Sequence, residues 1–324
     1  MNDGLINSFV IAVKKLGFVM KRQHLDATEI RLLKKLIQGS YSAFNQTHVD
    51  CSFFNYGLWD KKINKEFQAL NLDLSKITIA KEVNSPLLLY FLIRPLVKME
   101  FFNKRLLEVG CGNGIGLKLS SEILKPDYAL GIDLVSPLVK NATRNFYQPD
   151  KVNYIQSDAE NLPVENESFD IVTNLESSHL YPQLENFFSE VERVLVPGGY
   201  FCYSDLYYKN KDQSSRLEQF VKKSGKLKII KKINITKRVQ ASLYRRLIEN
   251  EELFYQQVLH LVDYDESRFE TELATIAAVY GVIFLPWWKI KFKNPVLRSI
   301  VKVARKDKFW GKKYYFYYLV QKVG

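Results

Sequence analysis

Residues 106–114 read LLEVGCGNG, an apolar run that meets an acid and then three glycines at alternate positions. Such an apolar run is typical of a strand that is buried on both faces of a parallel sheet. Gly110, Gly112 and Gly114 let the backbone turn sharply and pass close to a ligand that a Cβ atom would obstruct. Because a helical pattern follows at once, the stretch predicts a strand, a glycine turn and a helix N-terminus. Together these elements form a nucleotide-shaped site.

The spacing of the glycines separates two kinds of nucleotide site. A dinucleotide-binding turn needs Gly-x-Gly-x-x-Gly, in which the third glycine comes three residues after the second. Here Gly112 is followed by Gly114, and the acid Glu108 precedes the turn. A carboxylate at that place repels a pyrophosphate but not a ligand with a cationic sulfonium and an amino-acid head group. The turn therefore favours the second kind of ligand.

Strand and helix patterns alternate beyond this turn. Five strand patterns with helical patterns between them predict a parallel sheet with right-handed crossovers. An alternating pattern and an aromatic run later in the chain predict two further strands. The predicted strands are 106–109, 129–133, 152–156, 169–174, 200–204, 227–235 and 314–321.

These patterns predict an α/β fold with a doubly wound, mainly parallel seven-stranded sheet of the Rossmann-like kind. N-terminal helices precede the sheet, and a helical insertion precedes its last strand. A chain of 324 residues is long enough for one such domain with additions. We expect a helical cap at 1–100, a ligand-binding core at 101–236, a helical lid at 237–311 and the final strand at 312–324.

Acidic residues end the next two predicted strands. Asp133 ends the second strand, where an acid can accept both hydroxyls of a ribose. Asp158 follows the third strand, where it can accept from the amine of an adenine, and Ala159 leaves room for the ring. Two more landmarks are the sequence FDIV at 169–172 and the turn LVPGG at 195–199. Five landmarks in this order are far more specific than any one of them alone.

The landmarks resemble those of the class I S-adenosylmethionine-dependent methyltransferases, whose first motif is Glu-x-Gly-Cys-Gly-x-Gly. The stretch FFNYGLWD at 53–60 resembles an element of the small-molecule group, which methylates quinones, sterols, sugars and lipids. Residues 174–182 and 199–205 are similar to those of the mycobacterial phthiotriolone/phenolphthiotriolone dimycocerosate O-methyltransferases. The resemblance implies S-adenosyl-L-methionine as the cofactor. It also implies a hydroxyl of a lipid-like, polyketide or other hydrophobic small molecule as the methyl acceptor.

The same resemblance predicts the residues that hold the cofactor. Two of them, Tyr41 and Trp59, are expected to shield it, although ordinary helix packing is an alternative for both. The predicted cofactor-binding residues are Glu108, Gly110, Cys111, Gly112, Gly114, Asp133, Leu134, Asp158, Ala159, Asn174, Tyr41 and Trp59.

Three residues are candidates for the chemistry. His179 follows the fourth strand, and its imidazole can take a proton from a hydroxyl near neutral pH. Asp205 ends the neighbouring strand, where it can orient the imidazole and stabilise the imidazolium. Glu176 can bind the acceptor or keep the surroundings of the sulfonium negative. The alternatives are that His179 only lines the pocket and that Asp205 only caps its strand.

Charge is unevenly distributed in this chain of net charge +12. Residues 101–205 carry 8 Lys and Arg against 15 Asp and Glu, whereas residues 286–324 carry 11 against 1. Such asymmetry indicates an anionic partner surface, unless the basic face is only solvated. The amphipathic pattern at 5–20 suits a helix that packs on the protein's own core, as most amphipathic helices do, or one that lies on an anionic membrane. The sequence WWKIKFK at 287–293 suits a membrane interface.

Other classes of function compete with this interpretation. A C-methyltransferase acting on a quinone or sterol-like acceptor is a close relative. The basic flanks also suit an RNA methyltransferase, but no RNA-binding module is recognisable, and NLES stands at 174–177 where amino-directed nucleic-acid enzymes have Asn-Pro-Pro-Tyr. A non-catalytic cofactor binder is the third class. We favour a hydrophobic acceptor over nucleic acid.

Cysteine usage bears on the compartment and on metals. The three cysteines show neither disulfide nor metal-ligand spacing, so we expect a reduced protein without a metal site. No signal peptide is recognisable. Because Lys14 and Lys15 interrupt the N-terminal apolar stretch, we do not expect this stretch to span a membrane. The expected location is the cytoplasm, including the membrane surface.

Overall fold

A computed structural model describes most of the chain. The described residues are 25–47, 55–74, 83–99, 104–208, 213–261, 264–279, 281–293, 295–298, 301 and 313–323. The amphipathic stretch at 5–20 and the first two residues of FFNYGLWD lie outside this part.

Seven strands form one sheet in the order β3-β2-β1-β4-β5-β7-β6. Strands β3, β2, β1, β4 and β5 are parallel, whereas β7 is antiparallel to both of its neighbours, β5 and β6. The strands are β1 Arg105–Val109, β2 Tyr128–Asp133, β3 Val152–Gln156, β4 Phe169–Leu175, β5 Leu195–Tyr208, β6 Leu227–Asn234 and β7 Lys313–Lys322. The predicted doubly wound sheet is therefore confirmed.

Helices precede the sheet, connect its strands and fill the interval between β6 and β7. The first group is α1 Ala27–Thr47, α2 Lys61–Gln68 and α3 Asn84–Ile93. The connecting group is α4 Ile115–Leu124, α5 Ser136–Phe146, α6 Leu184–Val194 and α7 Gln213–Ser224. The last group is α8 Thr236–Tyr244, a π-helical turn Arg245–Glu249, α9 Glu251–Leu261, α10 Glu266–Val279 and α11 Trp287–Ile290. None of the helices in the described part is long and apolar enough to cross a membrane.

Apolar side chains are buried on both faces of the sheet. Leu106 and Ile171 belong to a cluster that includes all the apolar residues of α3, whereas Leu107 and Val172 belong to a second cluster with α6. Successive residues of a strand point to opposite faces, so continuous apolar runs are needed where both faces are covered. The apolar run of β1 therefore suits its interior position in the sheet, between β2 and β4.

Strand β5 begins earlier than predicted. The sequence placed its start at residue 200, after the Pro-Gly-Gly turn, but the strand begins at Leu195, which pairs with Phe169 of β4. The register then shifts, so that Ile171 pairs with Tyr200. The glycine at 198 takes a φ of +82°, and the turn is therefore an irregularity inside the strand.

Candidate active site

The glycine turn after β1 has the conformation that the sequence predicted. Gly110, Gly112 and Gly114 all have positive φ angles, of +76°, +54° and +84°. A Cβ atom on Gly110 would lie 2.6 Å from the Cβ of Ser177 and 2.8 Å from the hydroxyl oxygen of Tyr181. Glycine is required here because both the backbone angle and the space exclude a side chain.

A cavity lies beside this turn at the carboxyl ends of β1, β2 and β4, where open α/β sheets bind ligands. Helix α1 covers it, because Leu33 and Ile37 pack against Leu134 and Leu180. Most of the predicted site residues line it, namely Tyr41, Glu108, Gly110, Cys111, Gly112, Asp133, Leu134, Asp158, Ala159 and Glu176.

Glu108 lines the cavity with an unsatisfied carboxyl group. The residue is buried, and its Oε2 has no hydrogen-bond partner among the described residues. Burial and then the negative charge of Asp133 raise the pKa of Glu108 to about 8. An unpaired buried oxygen is costly unless a donor or a cation reaches it. The group therefore fits a ligand that carries a positive charge, as S-adenosyl-L-methionine does.

Asp133 is held at the end of β2 by backbone amides. Its Oδ2 accepts from the amide of Gly112 at 2.8 Å, and its Oδ1 accepts from the amide of Val135 at 2.9 Å. A carboxylate oxygen can accept more than one hydrogen bond, so both oxygens keep capacity for ribose hydroxyls. Burial raises the pKa of Asp133, and these amides oppose the shift.

Asp158 is part of an ion-pair cluster that the sequence did not predict. Lys34 of α1 places its Nζ 2.5 Å from Oδ2 of Asp158 and also bonds Glu160. The cluster ties α1 to the loop after β3 across the mouth of the cavity. Tyr41 lies on the same helix as Lys34. Burial, and then the negative charges of Asp133 and Glu176, raise the pKa of its phenol.

His179 and Asp205 form the predicted pair. His179 Nδ1 lies 2.8 Å from Oδ1 of Asp205, whose side chain is buried. Asp205 also accepts from the hydroxyl of Ser178 at 2.6 Å and from the amides of His179 at 2.9 Å and Leu206 at 2.7 Å. This network implies that Nδ1 carries a proton, as inferred from its hydrogen bonds. Neither member of the pair is among the described residues that line the cavity, whereas the adjacent Leu180 is.

Glu176 joins three parts of the chain at the cavity wall. Both of its oxygens accept from the amide of Tyr56, at 3.0 and 2.9 Å, and Oε1 also accepts from the hydroxyl of Tyr315 at 2.6 Å. Its backbone φ is +50°, a conformation that is uncommon for a residue other than glycine. Burial raises the pKa of Glu176 to about 7, against the effect of the Tyr315 and Tyr56 donors.

Three predicted cofactor residues are not in the wall that the described residues form. Gly114 ends the turn, and its carbonyl accepts from the hydroxyl of Tyr154 at 3.2 Å. Asn174 supports the turn from behind, because its Nδ2 donates to the carbonyl of Val109 at 2.9 Å. Trp59 packs elsewhere, with the guanidinium of Arg245 3.6 Å above its ring. This contact is of the kind that the helix-packing alternative expects, and the cofactor role of Trp59 stays a prediction.

Several lining residues were missed, among them Lys34, Ile37, Asn55, Ser177 and Tyr181. For α1 a signal was present, because Leu33, Ile37 and Tyr41 recur every four residues and share one helix face. Nothing in the sequence showed that this face would lie on the cavity.

Within the described residues, no group of three or more His, Cys, Asp or Glu side chains could hold a metal ion.

Residues 107–203 match a family model described as a methyltransferase domain. The phthiotriol/phenolphthiotriol dimycocerosates methyltransferase of Mycobacterium leprae (strain TN) is 42% identical over 118 residues, which are 36% of this chain and 43% of the relative. The fatty-acid O-methyltransferase of Mycolicibacterium smegmatis is 45% identical over 102 residues, which are 32% of this chain and 37% of the relative. The matches thus span less than half the length of these curated relatives.

One similar solved structure is the geranyl diphosphate C-methyltransferase from Streptomyces coelicolor A3(2), with Mg²⁺, geranyl diphosphate and S-adenosyl-L-homocysteine bound. The TM-score is 0.54 at 13% identity, and the alignment covers 90% of this chain and 98% of that one. At this identity the likeness shows the fold. The predicted resemblance to S-adenosylmethionine-dependent methyltransferases is confirmed by the match to the methyltransferase domain and by the relatives named as methyltransferases, and S-adenosyl-L-methionine is the cofactor of that domain.

Proposed function

We propose that this chain, whose residues 107–203 form a methyltransferase domain, methylates a hydroxyl group of a lipid-like or other hydrophobic small molecule. The observation that carries the proposal is the buried Asp205 carboxylate bonded to the imidazole of His179, beside the cavity that Glu108 lines. Relatives that are named for phthiotriol dimycocerosates and for fatty acids support a hydrophobic acceptor.

The cofactor would lie along the ends of β1 and β2. Glu108 would face its positive charge, the glycine turn would let the backbone approach it, and Asp133 would accept from its ribose. Bound S-adenosyl-L-methionine supplies an activated methyl group, so the protein has only to position the acceptor in line and to remove its proton. We further propose that α1 and the helices between β6 and β7 act as a cap and a lid over this site.

His179 would act as the general base. Because Nδ1 donates to Asp205, Nε2 is the ring nitrogen that takes the hydroxyl proton. Asp205 then stabilises the imidazolium and keeps the ring in one orientation. The Ser178 hydroxyl and two amides hold the carboxylate, so the pair is arranged before an acceptor arrives.

Glu176 would border the acceptor side of the cavity. Because its pKa is about 7, its charge changes near neutral pH, and its ionised form would keep the surroundings of the sulfonium negative. Tyr56 and Tyr315 hold the side chain in place, so its position does not depend on the acceptor.

Mass spectrometry of lipid and metabolite extracts tests the proposal. The extracts are incubated with the protein and methyl-labelled cofactor, and the labelled product is isolated. We expect a hydrophobic product whose label is on oxygen and is released by ether cleavage but not by ester hydrolysis. A label on carbon would replace the proposal by C-methylation, and a label found only in added RNA would replace it by RNA methylation.

A further inference from the structure

Two large aromatic side chains project into solvent at the end of the helical insertion. Trp288 is 68% exposed and Phe292 is 83% exposed, the highest values among the large apolar side chains of the described residues. They lie four positions apart, on α11 and on the turn that follows it. Aromatic side chains bury large areas when they find a partner, so two together form a candidate contact surface.

Lysines surround these rings. Lys289 places its Nζ 5.4 Å from the ring centroid of Trp288, and Lys291 places its Nζ 4.6 Å from that of Phe292. Lys293 lines the same shallow depression as both rings. No acidic residue occurs between positions 286 and 298. We call Trp288, Lys289, Lys291, Phe292 and Lys293 the aromatic–lysine patch.

The segment that carries the patch is well anchored on its other side. Ile290 is buried, and the carbonyl of Phe284 accepts from the side chain of Gln240 at 3.1 Å. The ring of Phe284 packs on Tyr56 at 5.8 Å and on Tyr315 at 6.3 Å between centroids. The patch is therefore exposed although the segment that carries it is packed against the protein. Through Phe284 this segment contacts Tyr56 and Tyr315, the two residues that donate hydrogen bonds to Glu176.

We propose that the aromatic–lysine patch docks the protein on the surface of an anionic lipid bilayer. Tryptophan and phenylalanine insert at the boundary of head groups and acyl chains, and nearby lysines are attracted to an anionic surface. A second copy of the chain fits this surface less well, because an isologous contact would set lysines against lysines. A phosphate backbone would use the lysines, but projecting side chains such as Phe292 gain most from apolar surroundings.

Vesicle flotation tests the proposal with the full chain. Vesicles of phosphatidylglycerol and phosphatidylcholine are compared with vesicles of phosphatidylcholine alone. We expect binding only to the anionic vesicles and a loss of about tenfold or more in Trp288→Ala/Phe292→Ala. The matched control is Leu32→Ala/Tyr147→Ala, which removes two exposed side chains (59% and 48%) outside the patch and should bind as the wild type does.

A second pair of variants tests the charges. Lys289→Gln/Lys291→Gln/Lys293→Gln should weaken anionic binding and reduce its salt dependence, because the counterions of the surface are no longer displaced. The control Lys222→Gln/Lys223→Gln/Lys226→Gln removes three lysines near the end of α7 and should bind as the wild type does.

Four results would overturn the proposal. The first is that the wild type does not float with anionic vesicles, and the second is that the patch variants float equally well. RNA binding or dimerisation that is lost in the patch variants, without vesicle binding, would assign the surface to that other partner. Vesicle binding is measured without turnover, and methylation is assayed with acceptor dispersed in detergent, so failure here leaves the proposed reaction standing.

Discussion

Two regions at the cavity differ in how the oxygens of their carboxyl groups are bonded. In the first region, at the end of β1, Glu108 lines the cavity and has an oxygen with no partner among the described residues. In the second region, after β4 and near the end of β5, both oxygens of Glu176 accept from Tyr56, and Asp205, which is not among the lining residues, accepts from four donors. The first region is electrostatically incomplete without a ligand, whereas the protein itself completes the second. We call Glu108 with the glycine turn the binding wall, because its free oxygen suits a ligand. We call Glu176 with the adjoining His179–Asp205 pair the reactive wall, because the protein holds these groups in place by itself.

The substitution Gly110→Ala should break the binding wall, and we expect it to have the largest effect. Strain at positive φ and the contact with Ser177 and Tyr181 should together lower the free energy of unfolding by roughly 2–4 kcal/mol and abolish cofactor binding. Chemical denaturation and calorimetric titration with S-adenosyl-L-methionine measure both. The control Gly198→Ala has a similar φ but open space around the Cβ position, so it should cost only about 1 kcal/mol. Equal losses in the two variants would show that the close approach is unimportant.

His179→Ala should break the reactive wall and leave the binding wall intact. We expect turnover to fall by ~10²-fold or more while the dissociation constant of the cofactor stays unchanged, because a general base acts only on the acceptor proton. Initial rates over a pH series and cofactor titration provide the two readouts. Asp205→Asn should produce a loss of similar size by favouring the wrong tautomer. Wild-type turnover in His179→Ala would remove the assignment.

Glu108→Gln sharpens the comparison through the pH dependence of stability. The pKa of Glu108 is about 8 in the folded chain against an ordinary value of 4.5, so the folded state holds the proton more tightly. Stability of the wild type without cofactor should therefore fall as pH rises from about 4.5 to about 8. Glutamine carries no charge, so the free energy of unfolding of the variant should not show this fall. The difference between the variant and the wild type should therefore be larger at pH 9 than at pH 5, by about 1.4 kcal/mol or more in favour of the variant. The control Glu185→Gln, at an exposed position on α6, should show no such change with pH. The prediction would be contradicted if the stability of both variants relative to the wild type were the same at pH 5 and at pH 9.

Tyr315→Phe should have the smallest effect, because the amide of Tyr56 still holds Glu176. We expect a loss of about 1 kcal/mol in stability and a further rise in the pKa of Glu176, since one donor to its ionised form is removed. The pH–rate profile should move to higher pH. Tyr317→Phe is the matched control, because its buried hydroxyl has no partner in the described part of the chain and its loss should be neutral. Identical profiles for the two variants would mean that the Tyr315 bond does not act on Glu176.

The parallel part of the sheet could be predicted closely from the sequence. The predicted bounds of β1 to β4 lie within one residue of the observed ones, because each strand is a short apolar run between turn residues. The acids at the strand ends were also correctly placed at one rim, since parallel strands bring their carboxyl ends together. Local patterns were therefore sufficient to predict the positions of Glu108, Asp133 and the His179–Asp205 pair, whereas the roles of these residues stay predictions.

Contacts between distant segments could not be predicted in the same way. Lys34 reaches Asp158 across 124 residues, and no local pattern distinguishes a lysine on a covering helix from a solvated one. Trp59 was predicted to shield the cofactor, but its ring contacts the guanidinium of Arg245, a residue of the helical insertion. The early start of β5 was missed because Pro-Gly-Gly usually interrupts a strand, and here a register shift absorbs it.

The position of β7 determines when the site becomes complete during synthesis. This strand is the last one described, yet it lies between β5 and β6 and supplies Tyr315 to Glu176 across 139 residues. Contacts of such long sequence separation form slowly, and chains leave the ribosome N-terminal part first. A nascent chain released through β5 would already contain the glycine turn and the His179–Asp205 pair, but Glu176 would still lack its tyrosine donor. The hydrogen bond from Tyr315 to Glu176 can thus form only after β7 has been synthesised and has entered the sheet.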